Sequence, residues 1–480
     1  MRVRYRLGAV GAGVALLLTT VGIPPAAASG PHLTRLRVEI SGNSDWQSVR
    51  IADGFVRSLY TEVLGSGATV SRGPDTVVVS GPGNNQPVSA TVSMMVEAYA
   101  SSFTISLAKG KIGEAHTKLY RINNANPVKI LSLDNYETSG DYIVSANVSK
   151  STLVSSGYTI PRMDPRRLVL SFYYPWFSEA SFDKGPWYDT PTGPYDTKTP
   201  SEVSKMVDQA HNAGIDGFVV SWDDVGDHTE RFDTVMSELA SRSMYVTPVI
   251  ELMAFETSSG GFDLTKIVGT MKLALQRSSN PAFLKVGTRP VLWLYGAWKL
   301  GIADLAAVRA AVVADGYNPF FMGEPVAQEW GLDGTYLYNP NGLTYTGMVN
   351  TFGTAQRHLR YDAQINPVVK QRLWAAPVSP GQNMSYSSPL FPQHQDRKDG
   401  ARYNQSWSAA FTSQPEWVLI TSWNEWFEAS HISPSKKYGS KALNQTAGWT
   451  SAFHNPQPWG DSQNQGSLLP IKIKIPLKFP

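Results

Sequence analysis

The chain has 480 residues, a formal net charge of +3, no cysteine, 17% charged residues and 11% aromatic residues. That length supports at least two domains with sizeable cores. The weak charge excludes the basic footprint of a nucleic-acid binder, and the missing cysteine excludes disulfides and thiol chemistry.

At the amino terminus, Arg2, Arg4 and Arg6 precede an apolar run from Gly8 to Ile23 and then Ala26-Ala27-Ala28. This is the pattern of a secretory signal peptide over residues 1–28, and the run is short for a membrane span. Without it the net charge falls close to zero. The mature protein is therefore expected to be secreted and free of the membrane.

Residues 31–163 read as all-β. Leu36–Ile40, Ser102–Leu107 and Tyr142–Val148 alternate with period two, and turn clusters such as Gly81-Pro82-Gly83-Asn84-Asn85 separate them. Thr91-Val92-Ser93-Met94 begins the same way, but Met95 and Val96 break the alternation. Short strands with frequent turns predict a β-sandwich. In a secreted enzyme such a module is either a carbohydrate-binding domain or a spacer, and Trp46 as its one tryptophan argues against a broad aromatic platform.

From 164 to 458 the rhythm becomes strand, loop, helix. Candidate strands are Leu168–Tyr174, Gly217–Trp222, Tyr245–Leu252, Pro290–Tyr295, Pro319–Gly323, Gly334–Tyr338, Leu373–Val378 and Trp417–Trp423. Helical segments include Ser201–Ala213, Thr229–Ser241, Leu264–Arg277, Ala303–Ala314 and Gly400–Ser413. Asp227-His228-Thr229-Glu230 has the form of a capping box. Eight alternating units predict a (β/α)₈ TIM barrel of the α/β class, whose active site lies at the carboxyl ends of the strands. Residues 459–480 form a tail in which Ile471–Ile475 could add an edge strand or stay disordered.

Polar and aromatic residues collect at the predicted strand ends. They include Tyr173, Tyr174 and Trp176 after the first strand, Trp222 after the second, Glu251 on the third and Tyr338 on the sixth. The eighth strand runs into Trp423-Asn424-Glu425-Trp426-Phe427-Glu428. One tight turn there would bring Glu425 and Glu428 within roughly 5–6 Å at Cβ, near the carboxyl separation of about 5–5.5 Å used by retaining glycosidases. Two acids in an aromatic pocket repel, so one can keep its proton near neutrality and serve as general acid. Asp223, Asp224, Asp227 and His228 could suggest a metal, but capping accounts for Asp227 and solvation for the others, so neither metal nor cofactor is expected. A Gly-x-Ser-x-Gly elbow is absent, which excludes the usual Ser-His-Asp hydrolases.

These motifs together resemble glycoside hydrolase family 99, the endo-α-mannosidase and endo-α-mannanase family, over about residues 166–455. The resemblance rests on Tyr173-Tyr174-Pro175-Trp176-Phe177, Ala213–Trp222, Gly287–Val291, Asp333–Tyr336 and above all Thr421–Glu428. It implies a carbohydrate substrate and metal-free retaining hydrolysis. It also implies that Glu425 acts as base on the sugar's own 2-hydroxyl, and Glu428 as general acid and then base. Tyr173, Tyr174, Trp176, Trp222, Glu251, Tyr338, Trp423, Asn424 and Trp426 are the candidates for the surrounding cleft. The sequence departs from the family pattern at Phe427, where a histidine is usual, at Ala429 for glycine, at Ser433 for glutamate and at Leu252-Met253 for an aromatic. A weaker similarity links Glu428, Ser430, His431 and Ile432 to the inverting family 71 α-1,3-glucanases. A glycan-binding barrel without activity is the third alternative.

Overall fold

A computed structural model describes residues 32–455 apart from 53, 84, 99–101, 124–125, 137–139, 141, 150–161, 223–225, 259, 325–330 and 389–392. The signal segment, the tail and the Asp223-Asp224 pair lie outside the described residues.

Among the described residues the first domain has ten strands: β1 (His32–Gly42), β2 (Trp46–Ile51), β3 (Gly54–Leu64), β4 (Thr69–Arg72), β5 (Thr76–Ser80), β6 (Val88–Ala98), β7 (Ser102–Lys109), β8 (Ala115–Asn123), β9 (Asn126–Asn135) and β10 (Tyr142–Ser149). They form two antiparallel five-stranded sheets, ordered β3-β6-β1-β8-β9 and β10-β7-β2-β5-β4. Alternate side chains from both sheets share one core, among them Leu36, Val38 and Ile40 from β1 and Ile105 and Leu107 from β7. Burying one face of each sheet against the other is what defines a sandwich.

Met95 explains the broken pattern in β6. Val92, Met94 and Val96 face the sandwich core, while Ser93, Met95 and Glu97 on the opposite face are also buried. Met95 packs there against Tyr361 and Ile365 of the second domain. A strand covered on both faces loses its alternation.

The second domain is a closed barrel of eight parallel strands. They are Val169–Tyr173, Gly217–Trp222, Tyr245–Glu251, Arg289–Tyr295, Phe320–Gly323, Gly334–Tyr336, Leu373–Val378 and Trp417–Ile420. Each pairs with its successor, the eighth pairs with the first, and every one of these pairings is parallel. Several strands end earlier than the sequence predicts: Leu252 starts a 3₁₀ turn, and Thr421–Trp423 have already left the ladder.

Helices Pro200–Asn212, His228–Ala240, Leu264–Leu275, Ile302–Ala314 and Ala401–Thr412 lie within two residues of their predicted bounds. Tyr345–Gln356 and Lys441–His454 are further helices that periodicity did not single out. Glycines interrupt the first, and threonines take apolar positions on the second, where Thr446 and Thr450 are buried beside Trp449. The capping box at Asp227 does not form. Its carboxylate is held by Arg231 at 3.0 Å and Lys198 at 2.8 Å, so ion pairing displaces the cap.

Candidate active site

Strand parity decides which aromatic residues reach the barrel mouth. On the first strand Phe172 and Tyr174 point into it, while Tyr173 between them is buried against Phe218 at 5.0 Å. On the second strand Ser221 faces inward and donates to Glu251 Oε1 at 2.6 Å. Trp222 faces the helix layer, 4.5 Å from Phe232, with the Arg277 guanidinium over its ring. The period of two along a strand requires this division.

The resulting cleft holds about 150 Å³ and is lined by Phe172, Tyr174, Trp176, Val249, Glu251, Tyr295, Tyr338, Glu425 and Glu428. That is less than the roughly 300–1,000 Å³ of pockets enclosing drug-sized ligands. It accommodates one ring-sized group, and any longer substrate must run over the rim.

Glu425 and Glu428 are set by a tight turn after the eighth strand. The Glu425 amide donates to Ser422 Oγ at 2.8 Å, and Glu425 Oε1 accepts the Phe427 amide at 2.9 Å. The Ser430 amide returns to the Glu425 carbonyl at 3.2 Å, and Ala429 sits at φ +51° to close the turn. Glu425 is buried and Glu428 half-buried.

Both carboxyls hold their protons more tightly than usual. Burial, and then the charge of Glu428, pushes Glu425 well above the ordinary carboxyl range. Burial raises Glu428 to about 7, opposed by the Tyr338 hydroxyl, which donates to its Oε2 at 3.2 Å. Amide donation to Glu425 opposes its upward shift without cancelling it, so near neutrality the two carboxyls are suited to share one proton. Tyr338 also lies 2.7 Å from the Tyr174 hydroxyl. Because Tyr338 spends its one proton on Glu428, Tyr174 donates to Tyr338. Burial and the nearby glutamates keep both phenols neutral.

Of the residues singled out from sequence, the cleft collects Tyr174, Trp176, Glu251, Tyr338, Glu425 and Glu428. The other five lie elsewhere. Tyr173 and Trp222 are core residues, and so is Trp423, buried 5.4 Å from Phe218. Asn424 is fully buried and braces the site, since its side chain accepts from the Tyr174 amide at 2.8 Å and donates to the Tyr174 carbonyl at 2.9 Å. Trp426 is buried too, stacked on His431 at 4.1 Å and donating to the Tyr195 hydroxyl. His431 is itself held by Asp189 at 3.1 Å from the long loop after the first strand. Strand parity could have found Phe172, and Val249 in step with Glu251.

Glu324 is a further acid at the end of the fifth strand. It is 6% exposed, its Oε1 accepts the Tyr338 amide, and its Oε2 is buried without a partner. Burial raises it to about 8. Among the described residues no group of three histidines or acids could hold a metal ion.

A closed parallel barrel presenting carboxylic acids and aromatic rings at the carboxyl ends of its strands has the architecture of a barrel glycosidase. Residues 178–446 match the profile of glycosyl hydrolase family 99. This chain belongs to that family and is a glycoside hydrolase. It is 23% identical over 359 residues to a mouse glycoprotein endo-alpha-1,2-mannosidase, covering 62% of this chain and 74% of the mouse protein. It is 24% identical over 271 residues to the enzyme of that name from Xenopus laevis, covering 50% of this chain and 56% of the frog protein. Among solved structures, a family 99 endo-alpha-mannosidase from Bacteroides thetaiotaomicron superposes with a TM-score of 0.51 at 20% identity, over 60% of this chain and 97% of that one. That likeness extends to the barrel fold.

Proposed function

We propose that the protein is a secreted, retaining hydrolase of α-mannan-type glycans, with Glu425 and Glu428 as the reacting pair. The observation that carries this reading is the pairing of two carboxyls of unequal environment in one cleft, one braced by amides and the other facing Tyr338. Its substrate class is supported by the family and by the mannosidase names of its relatives.

In the proposed reaction Glu425 removes the proton of the sugar 2-hydroxyl, and that oxygen attacks C1. Glu428 delivers its proton to the glycosidic oxygen as the C1–O bond breaks and the leaving sugar departs. Water then adds to C1 of the anhydro-sugar and gives a proton to Glu428. The ring-opened O2 recovers its proton from Glu425. Two displacements at C1 retain configuration, and no metal is needed. Export rests on the segment Arg2–Ala28, and amino-terminal sequencing of the secreted protein tests it.

Hydrolysis of a panel of α-mannans and α-glucans, with product anomers followed by NMR, tests the chemistry. Cleavage of an α-mannan with retention, reduced at least about 10³-fold in both Glu425→Gln and Glu428→Gln, is the expected result. Inverted glucose products, or no cleavage of any glycan, would overturn it.

A further inference from the structure

Phe427 stands between the two acids in sequence, yet its ring leaves the pocket floor. It is 44% exposed, and it is the one exposed residue from Glu416 to Ser433. An exposed ring that runs on into neighbouring aromatic surface forms the kind of apolar patch that marks a binding surface. The ring lies 4.9 Å from Trp187 and 5.4 Å from Phe177, with interplanar angles of 36° and 33°. Phe427 and the half-buried Trp187 thus form an aromatic ledge on the rim, backed from below by the fully buried Phe177.

The ledge is fixed relative to the acids. The Ser387 hydroxyl donates to the Phe427 carbonyl, and the Asn383 amide donates to the Glu428 carbonyl at 2.7 Å. The same loop presents Tyr386, 49% exposed and 6.0 Å from Tyr188. The aromatic surface therefore continues outward from the catalytic turn, on the side of Phe427.

We propose that the Phe427–Trp187 ledge is a stacking subsite for the sugar on the leaving-group side of the scissile bond. The inference rests on the assignment of Glu428 as the acid that protonates the leaving oxygen. The cleft holds one ring, so the departing sugar must lie beyond Glu428, and Phe427 is its immediate neighbour in the chain. The axial C–H face of a pyranose is apolar and flat, and it complements an exposed aromatic face in the same way as a second ring does. The occupant is a hexopyranose of the substrate chain.

The test compares two substrates for each enzyme: an α-mannan oligosaccharide, and the glycosyl fluoride of the same donor sugar, whose leaving group has no ring to stack. Phe427→Ala is expected to lower the ratio of kcat/KM for oligosaccharide over fluoride by about 3–10-fold, the size of one aromatic stacking contact. Phe427→Trp is expected to restore the ratio. Equal losses on both substrates, with a lowered Tm, would show that Phe427 only props Glu428 and would overturn the subsite. An unchanged ratio would overturn it as well. If the wild-type enzyme cleaves the fluoride but no mannan, the proposed substrate fails instead, and the two failures are distinct.

Discussion

Glu428 and Glu324 give the site a pH dependence whose direction can be worked out residue by residue. In the proposed reaction Glu428 must donate its proton, and such an acid is competent below its pKa. With Glu428 raised to about 7, kcat/KM should fall as pH rises through that value. The Tyr338 hydroxyl stabilises the charged form of Glu428, so Tyr338→Phe should move this limb to higher pH. A limb that moves down, or does not move, in the pH–rate profile would contradict the assignment. Glu324 acts on stability. Its folded pKa of about 8 exceeds the unfolded value of about 4.3, so the folded state keeps a proton that the unfolded chain loses. That contribution is complete below the unfolded value and is lost as pH rises toward 8. Glu324→Gln preserves an acceptor for the Tyr338 amide and has no proton to lose. It should therefore flatten the decline of Tm between pH 5 and 8, leaving the variant more stable than wild type at pH 8. Parallel Tm–pH curves for the two proteins would show that Glu324 does not titrate in this range.

At the scale of the element, the turn Thr421–Ser433 works because buried polar groups hold it against the first strand. Asn424 satisfies both backbone groups of Tyr174 and also reaches the Tyr195 hydroxyl. Asn424→Ala should cost about 1–3 kcal/mol for each backbone group left unpaired. It should also lower activity at temperatures where the fold persists, because Tyr174 leads through Tyr338 to Glu428. Denaturant unfolding together with kcat separates the two effects, and an unchanged kcat would remove Asn424 from the positioning role. This same segment shows what was legible in the sequence. Glu425, Glu428 and the strand before them stood out because an apolar run breaking into acids has few structural explanations. Trp423 and Trp426 shared that signal but were misread as cleft residues, since an aromatic type says nothing about which way it points. Tyr173 and Trp222 failed for the related reason that neighbours on a strand face opposite sides, and composition cannot set the parity. Phe172 and Val249, both apolar, looked like ordinary core. Glu324 stood at a strand end but gained meaning only when its burial and its contact with Tyr338 were visible.

Across the whole molecule, the sandwich meets the barrel away from the chemistry. Met95 of β6 packs on Tyr361 and Ile365, with Tyr60 of β3 beside them. Tyr361 and Ile365 precede the seventh strand, Leu373–Val378, and so lie toward the amino-terminal end of the barrel, opposite the mouth that carries Glu425 and Glu428. Every residue lining the cleft comes from the barrel. The interface should therefore serve stability and leave turnover untouched. Met95→Lys places a charge in a contact where Met95 is fully buried, and an unpaired buried charge forces either ionisation loss or separation of the surfaces. Wild-type protein should unfold in one calorimetric transition if this contact couples the domains. The variant should then show two transitions, or one broadened and lowered by several degrees. Its kcat on a soluble oligosaccharide at 25 °C should stay within about twofold of wild type, because no cleft residue touches the altered contact. A large fall in kcat with both domains still folded would mean that the sandwich reaches the active site through the barrel, and the separation of roles argued here would be wrong.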